Sequence, residues 1–295
     1  MELSYYPGCT LKTVASNLED SAIASMAVLG VDLVELPRWN CCGAVYSLAN
    51  DDLIHQVAPV RNLIRAQEQG CGKMVTLCSF CYHTLKRANF LVEADVTKRN
   101  TLNSFMDKEA DYEGEVEVVH LLEVLRDDIG WESISRKVKV PLQGLKLAPY
   151  YGCTLLRPRE VAIDQPEKPA ILHHLIEALG ATVADFPLST ECCGSYQVMS
   201  SRDSVLERAL SILGSAMRWG AEALVLTCPL CAFNLGQTQS ELKRKYRDFN
   251  GIPVFYFTQL LALSLGLGPE VCRFELNYSE PRLLMQSKDV LSVSR

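Results

Sequence analysis

The run Lys73-Met74-Val75-Thr76-Leu77-Cys78-Ser79-Phe80-Cys81 is a short apolar stretch that ends on two cysteines, and the chain contains it twice. The second copy is Ala223-Leu224-Val225-Leu226-Thr227-Cys228-Pro229-Leu230-Cys231. Upstream, Tyr6-Pro7-Gly8-Cys9-Thr10-Leu11 returns as Tyr151-Gly152-Cys153-Thr154-Leu155, and Cys41-Cys42-Gly43 returns as Cys192-Cys193-Gly194. From Cys9 to Cys41 is 32 residues and from Cys153 to Cys192 is 39; from Cys42 to Cys78 is 36 and from Cys193 to Cys228 is 35. Three cysteine landmarks in one order at near-equal spacing mark an internal duplication.

Each landmark follows a short apolar or aromatic run that reads as a strand. The lone cysteines follow Leu3-Ser4-Tyr5-Tyr6 and Leu145-Lys146-Leu147-Ala148, and the pairs follow residues 31–37 and 181–187. A fourth run closes each half, Val116-Glu117-Val118-Val119 and Pro253-Val254-Phe255-Tyr256-Phe257. Between the runs, residues 14–29, 51–69, 82–107, 169–179, 200–219 and 232–247 carry apolar side chains at helical intervals. Gly30, Gly70, Gly180 and Gly220 stand where helices should stop. Strand alternating with helix predicts an α/β fold of two pseudo-symmetric halves, each a small, mostly parallel sheet with flanking helices. The expected organisation is a first half over 1–130, a connection over 131–144, a second half over 145–265, and a tail without clear period over 266–295. Functional loops of parallel α/β units gather at the carboxyl ends of the strands. The three landmarks of each half should therefore converge, and the two sets should face each other.

The bulk composition narrows the function. The chain has 295 residues, 48% of them hydrophobic and 22% charged, as in ordinary soluble globular proteins. A net charge of −6 argues against a nucleic-acid partner, although it leaves room for a local basic pocket. No apolar run reaches the length of a membrane span, and the start has neither the basic nor the apolar region of a secretion signal, so a cytoplasmic location is expected. Twelve cysteines in a reducing compartment point to metal or redox chemistry rather than structural disulfides.

Each half offers five converging cysteines, one more than a structural zinc site or a conventional four-iron cubane takes. Adjacent cysteines diverge along the backbone and do not readily ligate one metal together. They can serve different irons of one cluster, which favours a polynuclear cluster over a single zinc ion. A lone Cys-x-x-Cys also fits a thioredoxin-like redox pair, but its repetition beside Cys-Cys-Gly weakens that reading. Cys71 and Cys272 have no counterpart in the other half and read as small buried hydrophobes. His55, His83, His120, His173 and His174 follow no pattern shared between halves and read as surface or core histidines. Lys12 and Arg157 lie three and four residues after the lone cysteines, candidates for facing an anionic substrate or, more simply, solvated charges.

Two copies of a lone Cys, Cys-Cys-Gly and Cys-x-x-Cys resemble the cysteine-rich CCG domain over about residues 3–262. The stretch Trp39-Asn40-Cys41-Cys42-Gly43-Ala44 resembles in particular the HdrB subunit of heterodisulfide reductase. The resemblance implies two noncubane [4Fe–4S] clusters. Cys9, Cys41, Cys42, Cys78 and Cys81 would hold the first, and Cys153, Cys192, Cys193, Cys228 and Cys231 the second. It implies an oxidoreductase that reduces a small anionic disulfide to two thiols. It also implies a ferredoxin-like iron–sulfur subunit and a flavin subunit as partners, and admits a hydrogenase or dehydrogenase module further upstream. The chain carries neither a ferredoxin-type cysteine run nor a dinucleotide fingerprint, in keeping with electrons supplied by a partner. Duplication suggests that the disulfide enters a cavity between the halves, with a cluster on either side. Two other readings stand beside this one: an electron-transfer subunit without its own substrate site, passing electrons to a larger reductase or a quinone-linked complex, and a zinc-stabilised structural module.

Overall fold

The computed structural model describes residues 1–44, 53–70, 72–288 and 290. Cys71 and the first two residues of the helix expected over 51–69 lie outside them. The first half contains four parallel strands, β1 (Glu2–Tyr6), β2 (Asp32–Glu35), β3 (Lys73–Thr76) and β4 (Glu117–His120), in the order β2-β1-β3-β4. The second contains β5 (Lys146–Pro149), β6 (Thr182–Val183), β7 (Ala223–Leu226) and β8 (Val254–Tyr256), in the matching order β6-β5-β7-β8. Every pairing is parallel, for example Tyr5 with Val75 and Ala148 with Leu224. Two sheets of one topology are what a duplicated βα pattern requires.

The helices fall close to the periodic stretches: α1 (Ser16–Leu29), α2 (Val57–Glu68), α3 (Ser79–Ala94), α4 (Val96–Phe105), α5 (Trp131–Lys137), α6 (Ile171–Ala178), α7 (Arg202–Arg218) and α8 (Phe257–Ser264). The single helix expected over 82–107 is two, because Asp95 turns extended and its side chain accepts the Lys98 N–H at 3.0 Å, capping a new helix. The stretch expected to be helical over 232–247 is also interrupted, by a π-turn at Phe233–Gln237. β6 is much shorter than the run 181–187 suggests, as suits an edge strand that meets Pro187. Gly30, Gly70, Gly180 and Gly220 all take positive φ where their helices end.

Both halves share a device at the last strand. His120 caps the turn after β4, with Glu123 accepting its backbone N–H at 2.7 Å. Tyr256 caps α8 after β8, with Gln259 accepting its N–H at 3.0 Å. Such reciprocal caps hold the chain rigid just past the strand ends.

The buried apolar residues of the two halves form one continuous cluster. Polar contacts cross between the halves as well. Ser21 Oγ and Thr258 Oγ1 are 2.7 Å apart, Tyr82 donates to the Val161 carbonyl at 2.9 Å, and Ser79 bonds Thr227. The segment after 266, expected as a tail without period, forms short helices at Pro269–Cys272 and Pro281–Ser287. It packs Cys272, Phe274 and Met285 into the core. Asn277 ties it down, bonded to Asn17 at 3.0 Å and to Gln259. A segment held by side-chain bonds and a few buried residues has no periodicity to read.

Candidate metal centre

The strand ends deliver the cysteines. β1 ends at Tyr6 and leads to Cys9; β3 ends at Thr76 and leads to Cys78, with Cys81 one turn into α3. β5 and β7 do the same for Cys153, Cys228 and Cys231. Gly8 and Gly152 precede the lone cysteines at φ +74° and +65°, and so turn the chain beneath the sulfurs. A Cβ on Gly8 would lie 2.9 Å from Cys81 Sγ, and one on Gly152 would lie 3.5 Å from Cys231 Sγ. Glycine is used here because both the φ and the space demand it.

Structure shifts one detail of the repeat. Gly8 corresponds to Gly152, so Tyr6 corresponds to Tyr150 rather than to Tyr151. Tyr6 donates to the Asn40 carbonyl at 2.8 Å and Tyr150 to the Glu191 carbonyl at 2.7 Å. Each buried tyrosine thus fixes the residue just before a Cys-Cys pair. Burial, and then the neighbouring cysteines, push both hydroxyls far above the usual range, so they stay protonated donors.

The ten cysteines form one string. Cys9 interacts with Cys41, Cys41 with Cys42, Cys42 with Cys81 and Cys81 with Cys78. Cys153, Cys192, Cys193, Cys231 and Cys228 repeat that order. The two strings meet where Cys78 faces Cys228. Cys42 and Cys81 are 3.7 Å apart. The first site opens outward at Cys9 and Cys41, whereas Cys153 and Cys192 are partly covered.

Thiols packed this way cannot all ionise. Cys41 is drawn far below the ordinary thiol range by its neighbours Cys42 and Cys9, and Cys192 by Cys153 and Cys193. Cys9, Cys81, Cys153 and Cys231 are pushed far above it, chiefly by their cysteine neighbours and by burial. Repulsion between adjacent thiolates spreads the titrations apart. Five thiolates together need compensating cations, as a metal cluster provides. Among the described residues, no three His, Cys, Asp or Glu side chains surround one point as ligands of a single metal ion do.

Hydrogen bonds reach the sulfurs of the second set. The Gly194 N–H points to Cys192 Sγ at 3.4 Å, and Asn234 Nδ2 lies 3.4 Å from Cys193 Sγ. Asn234 also donates to the Ser195 carbonyl at 2.7 Å.

Of the two basic candidates, Lys12 is bound by Glu19 at 2.7 Å and Glu35 at 2.6 Å, so its charge is matched within the fold. Arg157 donates to the Thr190 carbonyl at 2.9 Å and lines a cavity of about 330 Å³ together with Cys153 and Cys192. Phe80 and His83 reach this cavity from the first half, and Ser195, Tyr196 and Arg208 line it from the second. The imidazole of His83 is 3% exposed, and burial holds its pKa down to about 4, so it is neutral near pH 7. Sequence reading did not single out His83, Ser195, Arg208 or Asn234, since none of them repeats between halves. The remaining described histidines lie elsewhere in the fold: His120 is fully buried, bonded to the Leu77 carbonyl at 3.0 Å, and His173 bonds Tyr151 at 2.7 Å. Cys272 is buried, 3.5 Å from the Gln259 carbonyl.

Comparison with known proteins agrees with the duplication. A family model described as a cysteine-rich domain, CCG, matches residues 3–86 and again 147–236. The chain is 34% identical, over 90% of its length and 93% of the relative's, to the 8-methylmenaquinol:fumarate reductase membrane anchor subunit of Wolinella succinogenes. It is 30% identical, over 94% of its length and 93% of the relative's, to the HdrB subunit of the ferredoxin/F420H2-dependent CoB–CoM heterodisulfide reductase of Methanosarcina acetivorans. An HdrB-like heterodisulfide reductase protein of Archaeoglobus profundus is 29% identical, covering 89% of the chain and 90% of that protein. The crystal structure of a hypothetical protein from Helicobacter pylori shares the fold, with a TM-score of 0.76 at 14% identity. That match takes in 94% of this chain and only 52% of the other. Among the described residues, no helix is long and apolar enough to cross a membrane.

Proposed function

This chain belongs to the cysteine-rich CCG-domain family, and on that premise we propose that it is the iron–sulfur subunit of a heterodisulfide reductase-type complex that reduces a disulfide to two thiols. The observation that carries the reading is the string of ten cysteines, two matched sets of five that meet at Cys78 and Cys228. Cys9, Cys41, Cys42, Cys78 and Cys81 would hold one noncubane [4Fe–4S] cluster, and Cys153, Cys192, Cys193, Cys228 and Cys231 the other. The donor set fits: soft, mutually repelling thiolates are ligands for polynuclear iron rather than for one hard cation.

Such clusters, when bound, supply electrons one at a time. Cleaving a disulfide takes two electrons and two protons, so a pair of adjoining one-electron centres suits the stoichiometry. The chain itself contributes the cavity beside Cys153 and Cys192, closed by residues of both halves. Its guanidinium groups, Arg157 and Arg208, suit an anionic substrate. Electrons would come from a ferredoxin-like subunit, fed by a flavin subunit and, further upstream, a hydrogenase or dehydrogenase module, in a cytoplasmic complex.

The relative named for quinol:fumarate reduction favours a second reading, an electron-transfer subunit with no substrate site of its own. One anaerobic experiment separates the readings. Purified protein should carry about eight iron and eight acid-labile sulfide per chain. Once reduced, it should release two thiols per disulfide from a panel of anionic disulfides. Oxidation only by a partner protein, with no thiol formed, selects the relay; stoichiometric zinc with little iron rejects both.

A further inference from the structure

The cavity beside the second cysteine set holds two polar atoms that the protein leaves unsatisfied. His83 stands on α3 with Nδ1 3.2 Å from the Thr154 carbonyl of the other half. A carbonyl only accepts, so Nδ1 carries the hydrogen and Nε2 is left with a lone pair. Nε2 is buried and meets no hydrogen-bond partner within the protein. The hydroxyl of Ser195 is likewise buried and unpartnered, on a residue held at φ +51°. Serine rarely adopts that backbone, and such strain gathers at ligand clamps. Buried polar groups in folded proteins are nearly always satisfied, so two orphans on one cavity wall point to something that enters it.

Charge defines the rest of that ligand. Among the described residues, neither Arg157 nor Arg208 has a carboxylate partner, in contrast to Lys12 between its two glutamates. We infer that His83 and Ser195 position, at the second cysteine set, an acidic disulfide or thiol bearing an N–H or O–H donor, with Arg157 and Arg208 holding its acid. The inference rests on the disulfide reading and makes it specific. His83 Nε2 accepts from the ligand's donor, Ser195 completes the polar contact, and the guanidinium pair fixes the acidic end. His83 is a positioning residue, and because it comes from the opposite half, it makes ligand recognition depend on the packing of the two halves.

The test is equilibrium binding by titration calorimetry to iron-loaded protein, which needs no turnover. The probes are N-acetylcysteine and its ester analogue, in which oxygen replaces the amide N–H. A site built to hydrogen-bond a donor discriminates against the isostere that lacks it. Wild-type protein should bind the amide about tenfold more tightly, a difference of about 1.4 kcal/mol. His83→Phe should abolish the preference, and His83→Gln, whose amide oxygen can accept, should retain it. Arg208→Gln, on the exposed face of α7, should weaken both probes alike. If wild-type protein binds both equally, or His83→Phe keeps the preference, the inference fails and the disulfide reading survives. If iron-loaded wild-type protein binds neither, both fall.

Discussion

Alanine at Gly8 and at Gly152 should separate the two cysteine sets. Both glycines lie at positive φ, so each alanine costs about 1–2 kcal/mol in backbone strain. That is small against the 5–15 kcal/mol typical of a folded domain, and both variants should fold. Melting temperatures should fall by roughly 2–8 °C in each, at about 2–4 °C per kcal/mol. The sulfurs respond differently. At Gly8 the new Cβ would sit 2.9 Å from Cys81 Sγ and 3.3 Å from the Tyr6 ring. Ordinary contact is about 3.5–4.0 Å, so the sulfur must retreat by roughly 0.6–1 Å. A metal–ligand distance tolerates about 0.2 Å. At Gly152 the corresponding distance to Cys231 Sγ is already 3.5 Å, and no retreat is needed. Iron and acid-labile sulfide analysis after anaerobic purification is the assay. Gly8→Ala should keep about half of the iron, about four per chain, and Gly152→Ala should keep nearly all. Full iron in Gly8→Ala would refute the reasoning that Cys81 is a ligand at its observed position, as would equal losses in the two variants.

Replacing Cys81 or Cys231 by serine should remove about four iron each, with electron paramagnetic resonance showing a different surviving signal in each; loss of all iron from either would mean one shared centre. Asn234→Ala frees the carbonyls of Cys193 and Ser195 and should cost about 1–3 kcal/mol in urea unfolding, whereas a neutral result would show that the Cys192–Cys193 loop is held otherwise. His120 is buried with its pKa lowered to about 3 by desolvation, so as the pH falls below 6.5 the unfolded chain takes up a proton that the folded one refuses. Stability from this residue is therefore intact above pH 6.5 and declines towards pH 3, by about 1.4 kcal/mol between pH 7.5 and 5.5. Unfolding curves at those two pH values should show a smaller difference in His120→Gln, and an unchanged slope would contradict the assignment.

Much of the architecture can be read without coordinates because it is local. A strand needs only its own apolar residues, and a helix end only its glycine. The order of eight such strands fixes two parallel sheets of one topology, with ten cysteines at their carboxyl ends. The cysteine landmarks are legible for the same reason, since duplication writes each of them twice. What occurs once is silent in the sequence. His83 reads as one more helical histidine until α3 is packed against the other half, where Thr154 orients its ring. Ser195 and Arg208 acquire meaning only as walls of a shared cavity. Lys12 and Arg157 look alike beside their cysteines, yet Glu19 and Glu35 match the charge of one while the other lines that cavity. The meeting of Cys78 with Cys228 likewise depends on how the halves pack, through Ser79 and Thr227 and a common core. Sequence determined the ligand-type residues and the scaffold that gathers them, through short-range periodicity. Only tertiary structure decided which charges stay available, which polar atoms are left for a ligand and how the two sites adjoin, because those are set by contacts between residues far apart in the chain.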